Sequence, residues 1–211
     1  MRVLVADDEP LITAGIRTVL ESQAGIEVVA TAADGSAAVR EAVRHRPDVA
    51  LLDITMPVLD GLAALTELRR QAPSVRAVML TSFGTEPNVL RALRDGASGF
   101  VLKHCAPDEL IRAVRAAHDG DAYLSPEVTR MVLGMVTPAA GRRDEATTRL
   151  TALSPRETEI AELVAEGLSN AEIGRRVHMS ETTIKTYMSR VLTKLDCANR
   201  VEVALLVRDA R

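Results

Sequence analysis

No apolar run in the 211 residues approaches the roughly 18 needed to span a bilayer, and no basic leader precedes an apolar stretch at the start. The expectation is a soluble, cytoplasmic chain with no membrane partner. Cysteine is scarce: Cys105 and Cys197 lie far apart and neither sits in a CxxC pattern, so reduced thiols are expected. His45, His104, His118 and His178 are scattered and give little support to a histidine metal site. Internal repeats and low-complexity tracts are missing too. Neither sign of charge dominates: 26 Lys and Arg against 29 Asp and Glu give a net −3. A nucleic-acid function would therefore need a local cationic face rather than a generally basic protein. What is abundant is apolar residue, 47% of the chain, enough to bury the cores of one large domain or two ordinary ones.

From Met1 to about Gly120, short runs rich in Val and Leu alternate with stretches of helical apolar spacing. The runs are "RVLVA", "IEVVATA", "DVALLDI", "VRAVMLTSF" and "GFVLK"; between them apolar residues recur every three or four positions. Five strands alternating with helices predict an α/β doubly wound parallel sheet, flavodoxin-like, over residues 1–120. Residues 121–149 read as a linker with a short helix near 125–136, begun by Ser125, Pro126 and Glu127 and followed by the aperiodic "TPAAGRRDEATTR". Residues 150–211 read as a small all-α domain of four helices. "SPRE" at 154–157 and "SNAE" at 169–172 are capping boxes, and Gly167 between them ends the first helix. A third helix follows Ser180 with Ile184, Met188, Val191 and Leu195 on its buried side. The fourth, Arg200 to Val207, carries Val201, Ala204 and Leu205 as its stripe. Two short helices joined by "HMS" form a helix-turn-helix.

The first strand runs into three acids, Asp7, Asp8 and Glu9, and the third ends at Asp53. In a doubly wound sheet with adjacent first and third strands, Asp7, Asp8 and Asp53 meet at one rim, beyond the carboxyl ends of the strands. Like charges about 4 Å apart repel by roughly 4 kcal/mol at an effective dielectric of 20, so the group requires a cation or shifted pKa values. Mg²⁺, which takes oxygen ligands and pairs carboxylates with phosphate, is the simplest cofactor for this rim. Thr81 and Lys103, at two further strand ends, add a hydroxyl and an ammonium. Together these groups make a receptor for a phosphoryl group with Asp53 as the in-line nucleophile. Taken singly, each acid also reads as a helix cap or turn residue and Lys103 as a surface lysine. "MPVLDG" must turn sharply from strand to helix, which suits the fixed φ of Pro57 and the freedom of Gly61.

The residues "DDE", "DITMPVLDG", "LTS" and "GFVLK" resemble the receiver domain of two-component response regulators across about residues 1–120. The resemblance implies that Asp53 accepts a phosphoryl group from a phosphohistidine on a sensor histidine kinase. It implies Mg²⁺ held by Asp8, Asp53 and the Thr55 carbonyl, with Asp7 acting through water, and phosphoryl oxygens bound by Thr81 and Lys103. Phe100 matches the aromatic that moves inward with the threonine on phosphorylation; the family often has tyrosine there, so no hydroxyl latch is available. Thr55 also matches a position that tunes phosphoryl lifetime.

"LSPRETEIAELVAEGLSNAEIGRRVHMSETTIKTYMSRVLTKL" resembles the LuxR-type DNA-binding domain, and its pairing with a receiver resembles the NarL/FixJ subfamily. A helix-turn-helix lays its second helix in the major groove. Thr182, Thr183, Lys185, Thr186 and Ser189 are the expected base-facing residues, with Lys185 foremost; Arg190 and Lys194 are expected on phosphates, and the amides at Ser180 on another. The segment 151–211 holds nine Lys or Arg and nine Asp or Glu, so affinity would rest on a localised face and two copies. The combined reading is a phosphorylation-controlled transcriptional regulator, not an enzyme, that binds double-stranded promoter DNA as a homodimer on phosphorylation. RNA polymerase is a further candidate partner. The alternatives are a helical protein-interaction module in place of the reading head, a phosphate-independent regulator with a vestigial acidic rim, and a phosphatase of the haloacid dehalogenase type. The last requires a second acid two residues after its nucleophile, where this chain has Thr55.

Overall fold

The structure is a computed structural model, and it describes residues 1–82, 86–125, 128–129 and 142–210. The chain divides into two compact units, Met1–Leu133 and Gly134–Arg211. Among the described residues no helix is long and apolar enough to cross a membrane.

In the first unit, strands β1 (Arg2–Ala6), β2 (Glu27–Ala32), β3 (Val49–Asp53), β4 (Arg76–Thr81), β5 (Gly99–Leu102) and β6 (Tyr123–Leu124) form one sheet in the order β2-β1-β3-β4-β5-β6. Every pairing is parallel. Helices α1 (Pro10–Glu21), α2 (Gly35–His45), α3 (Gly61–Gln71), α4 (Glu86–Arg94) and α5 (Pro107–Asp119) make the crossovers. Because helices cover both faces, β3 and β5 are buried at every residue, as their unbroken apolar runs require. One face packs Val3, Val5, Leu51, Val78, Leu80 and Val101 against Leu20, Leu110 and Val114.

The five strands read from the sequence are all present, and a sixth is added. Tyr123–Leu124 pairs with Gly99 and Phe100 of β5 at the sheet edge. Two residues are too few to show alternation, so the strand signal stops at Gly120, which closes α5 with a left-handed φ of 81°. The helix expected near 125–136 lies almost wholly outside the described residues; at its start, the Ser125 hydroxyl accepts from Val128 N at 3.3 Å.

The chain order fixes where chemistry can occur. From β1 the chain moves to β2 on one side and then to β3 on the other, so the crossovers diverge above the carboxyl ends of β1 and β3. Local chemistry then sets the helix starts there. Asp60 caps α3 by accepting from Ala63 N at 2.7 Å, and Pro10 opens α1.

The second unit contains α6 (Arg142–Leu150), α7 (Pro155–Ala165), α8 (Asn170–Val177), α9 (Glu181–Lys194) and α10 (Arg200–Asp209). Both capping boxes form reciprocally, Ser154 with Glu157 and Ser169 with Glu172. Gly167 (φ 84°) ends α7 in a Schellman motif, with Leu168 N on Leu163 O and Gly167 N on Val164 O. Ile184, Met188, Val191 and Leu195 are buried as their spacing predicts, against Ile160, Val164, Ile173 and Val177. On α10 the expected stripe of Val201, Ala204 and Leu205 is only half-buried, and Val203 and Val207 fill the core instead. "VEVALLV" is apolar almost all round, so spacing alone does not set which side faces inward.

Residues 142–150 form a helix where the sequence reads as flexible. "RRDEATTRL" has no apolar stripe, and the segment is held by contacts distant in sequence, with Leu150 packed on the core of this unit. Ala146 is buried, and the Arg149 guanidinium donates to the carbonyls of Leu195 and Asp196 at the end of α9.

Candidate functional site

Asp7 follows β1, Asp53 closes β3, Thr81 closes β4 and Lys103 follows β5, so four consecutive strands of the sheet deliver their end residues to one rim. Asp7, Asp53 and Thr81 are buried, while Asp8 faces solvent. The Lys103 ammonium lies 2.8 Å from Asp7 Oδ2, 3.0 Å from Asp53 Oδ2 and 3.3 Å from Glu9 Oε1. Carboxylate oxygens of Asp7, Asp8 and Asp53 lie within 4.8 Å of one another. Backbone bonds hold the frame: Asp7 N donates to Ala32 O at 3.0 Å, Ile54 N to Leu80 O at 3.1 Å and Lys103 N to Thr81 O at 2.8 Å.

The ammonium offsets part of the repulsion between the acids. Three carboxylates, Asp7, Glu9 and Asp53, pair with one lysine, and Asp8 lies in the same acid cluster. Burial pushes the Asp53 carboxyl above its ordinary pKa; Lys103 pulls it down, Asp7 pushes it up and the Thr55 amide pulls it down. Burial works against the Lys103 charge, but the bonds and charges of Asp7 and Asp53 outweigh it and hold the ammonium above its ordinary pKa.

The donor set suits a hard dication. The candidate side-chain ligands, Asp7, Asp8 and Asp53, are all carboxylates, with Asp7 and Asp53 buried and Asp8 exposed.

Phe100 is fully buried in β5, beside Met79 of β4. Thr55 is exposed in the turn after β3, where its amide meets the Asp53 carboxylate. Gly61 has a reason different from the expected freedom of φ. A Cβ there would stand 1.9 Å from the Asp53 carbonyl oxygen, so helix α3 can start this close to the acceptor strand only on a glycine. Glu9, third in the acid run and not among the predicted ligands, reaches Lys103 because Glu9 N folds back on Asp7 Oδ1 at 3.0 Å.

In the second unit, α8 and α9 flank a turn made by His178 in the left-handed region (φ 55°) and Met179. Gly174 lets the turn pack: a Cβ would meet Met179 O at 2.7 Å. The Ser180 hydroxyl caps α9 by accepting from Thr183 N at 3.1 Å.

At 3.6 residues per turn, Thr182, Thr186, Ser189 and Thr193 lie opposite the buried stripe, and all four are exposed. Lys185, expected opposite that stripe, instead stands at its shoulder, half-buried and paired with Glu181 at 3.1 Å. Thr183 is half-buried, its hydroxyl 2.7 Å from that of Ser180. Arg190 is exposed, with its guanidinium 5.8 Å from the centre of the Tyr187 ring. Lys194 points to Glu157 Oε2 at 2.6 Å and so ties α9 to the capping box of α7. Thr193, and the exposed Arg175 and Arg176 in the last turn of α8, were not singled out from the sequence. The "GRR" before the turn was their available signal.

The Lys194 ammonium, with the Ser154 amide and hydroxyl, holds the Glu157 carboxyl down at about 2, against an ordinary 4.5. An unfolded chain takes up this proton first as the pH falls. The stabilisation is therefore whole above pH 4.5 and is lost as pH drops from there to about 2. Glu157→Gln is expected to cost the second unit about 1–2 kcal/mol at neutral pH and to flatten its unfolding between those pH values. Circular dichroism at stepped pH measures this; an acid limb identical to that of the wild type contradicts the assignment.

Residues 3–115 match the response regulator receiver domain, and residues 151–207 match the bacterial regulatory proteins of the luxR family. The chain is 35% identical over 211 residues to the nitrate/nitrite response regulator protein NarL of Escherichia coli, covering 99% of this chain and 95% of that one. It is 34% identical over 205 residues to the response regulator protein VraR of Staphylococcus epidermidis, covering 97% and 95%. Among solved structures, that of two RcsB dimers bound to two parallel DNAs aligns with a TM-score of 0.60 at 28% identity, over 100% of this chain and 98% of that one. With a receiver matched across the first half, a luxR-type domain across the last quarter and whole-length relatives above 30% identity, the chain belongs to the response regulators that join a receiver domain to a LuxR-type DNA-binding domain, a family of transcription regulators.

Proposed function

We propose that residues 1–120 receive a phosphoryl group on Asp53 from a sensor histidine kinase, and that residues 150–211, joined through 121–149, read double-stranded promoter DNA as a homodimer. The observation that carries the reading is the convergence of the buried Asp7 and Asp53 on the Lys103 ammonium, beside Asp8, in a chain whose other unit carries a luxR-type helix-turn-helix. Asp7, Asp8, Asp53 and the Thr55 carbonyl would hold Mg²⁺, which supplies positive charge to the phosphoryl oxygens. Lys103 balances charge on the transferring group, Thr81 donates its hydroxyl to a phosphoryl oxygen and Asp53 attacks in line. The fold brings these groups together before any donor arrives, so orientation is supplied in advance.

Phosphorylation adds about −1.5 to −2 charges at a buried strand end. Thr81 and Phe100 repack in response and alter the surface of α4 and α5, around residues 89–94 and 110–115, or of α1 and α5. Moving a regulator from 1:99 to 99:1 takes about 5.5 kcal/mol, a load that dimerisation on two half-sites can share. On DNA, α9 enters the major groove with Thr182, Thr186 and Ser189 foremost and Thr183 and Lys185 beside them, after release of Lys185 from Glu181. Arg190 reaches a phosphate with its guanidinium steadied by Tyr187, and Lys194 does so only by leaving Glu157. The half-exposed Val201 and Leu205 of α10 meet their counterparts in the second copy. RNA polymerase is the partner that a promoter-bound dimer would engage, and the cytoplasm is where these partners are found.

Binding to a promoter-fragment library tests the reading. With Mg²⁺ and a fluoroberyllate phosphoryl mimic, a distinct set of fragments should be retained at least tenfold better than without the mimic. Equal retention in both conditions contradicts phosphoryl control while leaving the DNA function standing.

A further inference from the structure

Helices α7 to α10 of the second unit each begin on a cap residue and carry a glutamate in the first turn. Three of those glutamates are spent on the fold. Glu157 accepts from Ser154 N at 2.8 Å, Glu172 from Ser169 N at 2.8 Å and Glu202 from Ala198 N at 2.6 Å. Each stands at the third helical position, from which a carboxylate reaches back to an amide at or beside the cap. On α9 that position is held by Thr183, whose hydroxyl meets that of Ser180, and the acid stands at the first position instead. Glu181 is exposed, and it pairs with Lys185 one turn along at 3.1 Å.

An exposed pair at this spacing adds little to stability, and so does an acid near a helix start. Against that small gain stands a cost on the surface that approaches DNA. The helix carries three basic residues and one acid, and the acid lies at the end that meets base edges. Phosphates border the groove, so a carboxylate there opposes every approach in which it finds no donor. Lys185 serves as that donor only until it turns to the DNA itself. The donors then left in the major groove are the exocyclic amines of cytosine and adenine. Cytosine N4 has one acceptor beside it, O6 of the paired guanine. Adenine N6 lies between two, its own N7 and O4 of the paired thymine, and both repel a carboxylate. Other side chains on this face are more tolerant. Thr186 and Thr193 donate their hydroxyls to Thr182 O and Ser189 O at 3.1 and 2.9 Å, which leaves them neutral acceptors. Thr182 and Ser189 carry hydroxyls that suit a donor or an acceptor.

We propose that Glu181 is a specificity-determining residue whose carboxylate accepts a hydrogen bond from N4 of a cytosine in each half-site when α9 lies in the major groove. The proposal rests on the reading of the second unit as a DNA-binding head. In the free chain Lys185 neutralises the carboxylate, and on the correct site the cytosine amine takes over as Lys185 turns to DNA. Opposite guanine or thymine the carboxylate meets an acceptor, and opposite adenine a donor flanked by acceptors. Glu181 therefore selects mainly by rejection, lowering affinity for wrong sequences more than it raises affinity for the right one.

The test is selection from random duplexes by the full chain, with Mg²⁺ and the fluoroberyllate mimic at one fixed salt concentration, for the wild type, Glu181→Ala and Lys185→Ala. The wild-type consensus should hold a cytosine in each half-site whose replacement by thymine weakens binding about tenfold, the usual cost of one wrong base pair. In Glu181→Ala the same replacement should cost no more than about twofold, while the rest of the consensus persists and affinity for scrambled duplex rises above that of the wild type. Lys185→Ala should bind more weakly but keep the cytosine. An unchanged consensus in Glu181→Ala overturns this proposal alone. So does loss of every preference in that variant, which would place Glu181 in the fold, and so does loss of the cytosine in Lys185→Ala, which would make Glu181 a positioning residue for the lysine. A wild type that enriches no sequence overturns the DNA reading and this proposal with it.

Discussion

Asp53→Asn is expected to reduce incorporation of labelled phosphoryl from acetyl phosphate by roughly a hundredfold or more, because an amide at this position is no nucleophile. The fold should survive the change. Burial already opposes the Asp53 charge, and the neighbouring Asp7 opposes it further, so a neutral group of the same shape relieves crowding even as Lys103 loses one partner. Lys103 keeps Asp7 and Glu9 at 2.8 and 3.3 Å. Loss of label with an unchanged melting temperature therefore isolates the acceptor from its scaffold. Full labelling of the variant would move the acceptor to another residue, and Asp7 and Asp8 would be the first alternatives.

The second large effect is on the scaffold. Gly61→Ala is expected to destabilise the first unit by about 3 kcal/mol and to slow labelling as well, since its Cβ would meet the Asp53 carbonyl oxygen at 1.9 Å and the carbonyl carbon at 2.8 Å. Backbone, unlike the end of a flexible side chain, cannot swing aside. Either the end of β3 shifts, carrying the acceptor away from Lys103, or α3 starts later and loses its Asp60 cap. Denaturant unfolding of the full chain measures the first consequence and acetyl phosphate labelling the second. A variant within about 1 kcal/mol of the wild type would mean that the approach of α3 to β3 is looser than the structure shows.

Much of this was legible in the sequence for a definite reason. In a parallel sheet covered on both faces, strands are continuous apolar runs, and the first polar residue after each run must lie at the functional edge. "VLVADDE", "ALLD", "VMLT" and "FVLK" therefore mark one edge of the sheet in the sequence itself. Capping boxes at Ser154 and Ser169 were legible because their chemistry spans only four residues. What stayed hidden depends on distant partners. Tyr123–Leu124 is a strand only because the edge of β5 is open to it. The helix at 142–150 is held by the reach of Arg149 to the end of α9.

The same limit applies to individual side chains. Lys185 and Lys194 look alike as exposed cations on a recognition helix until Glu181 and Glu157 are placed beside them. Gly61 reads as a flexible turn residue until Asp53 O appears where its Cβ would stand.

The most direct measurement is to locate the bond. Wild-type protein is incubated with acetyl phosphate in the presence and absence of Mg²⁺, then reduced with borohydride, which converts an aspartyl phosphate to homoserine, and its peptides are sequenced by mass spectrometry. Homoserine at position 53, formed with Mg²⁺ and lost when the ion is chelated, is the predicted result. Reduction at another aspartate, or none at any, would contradict the assignment.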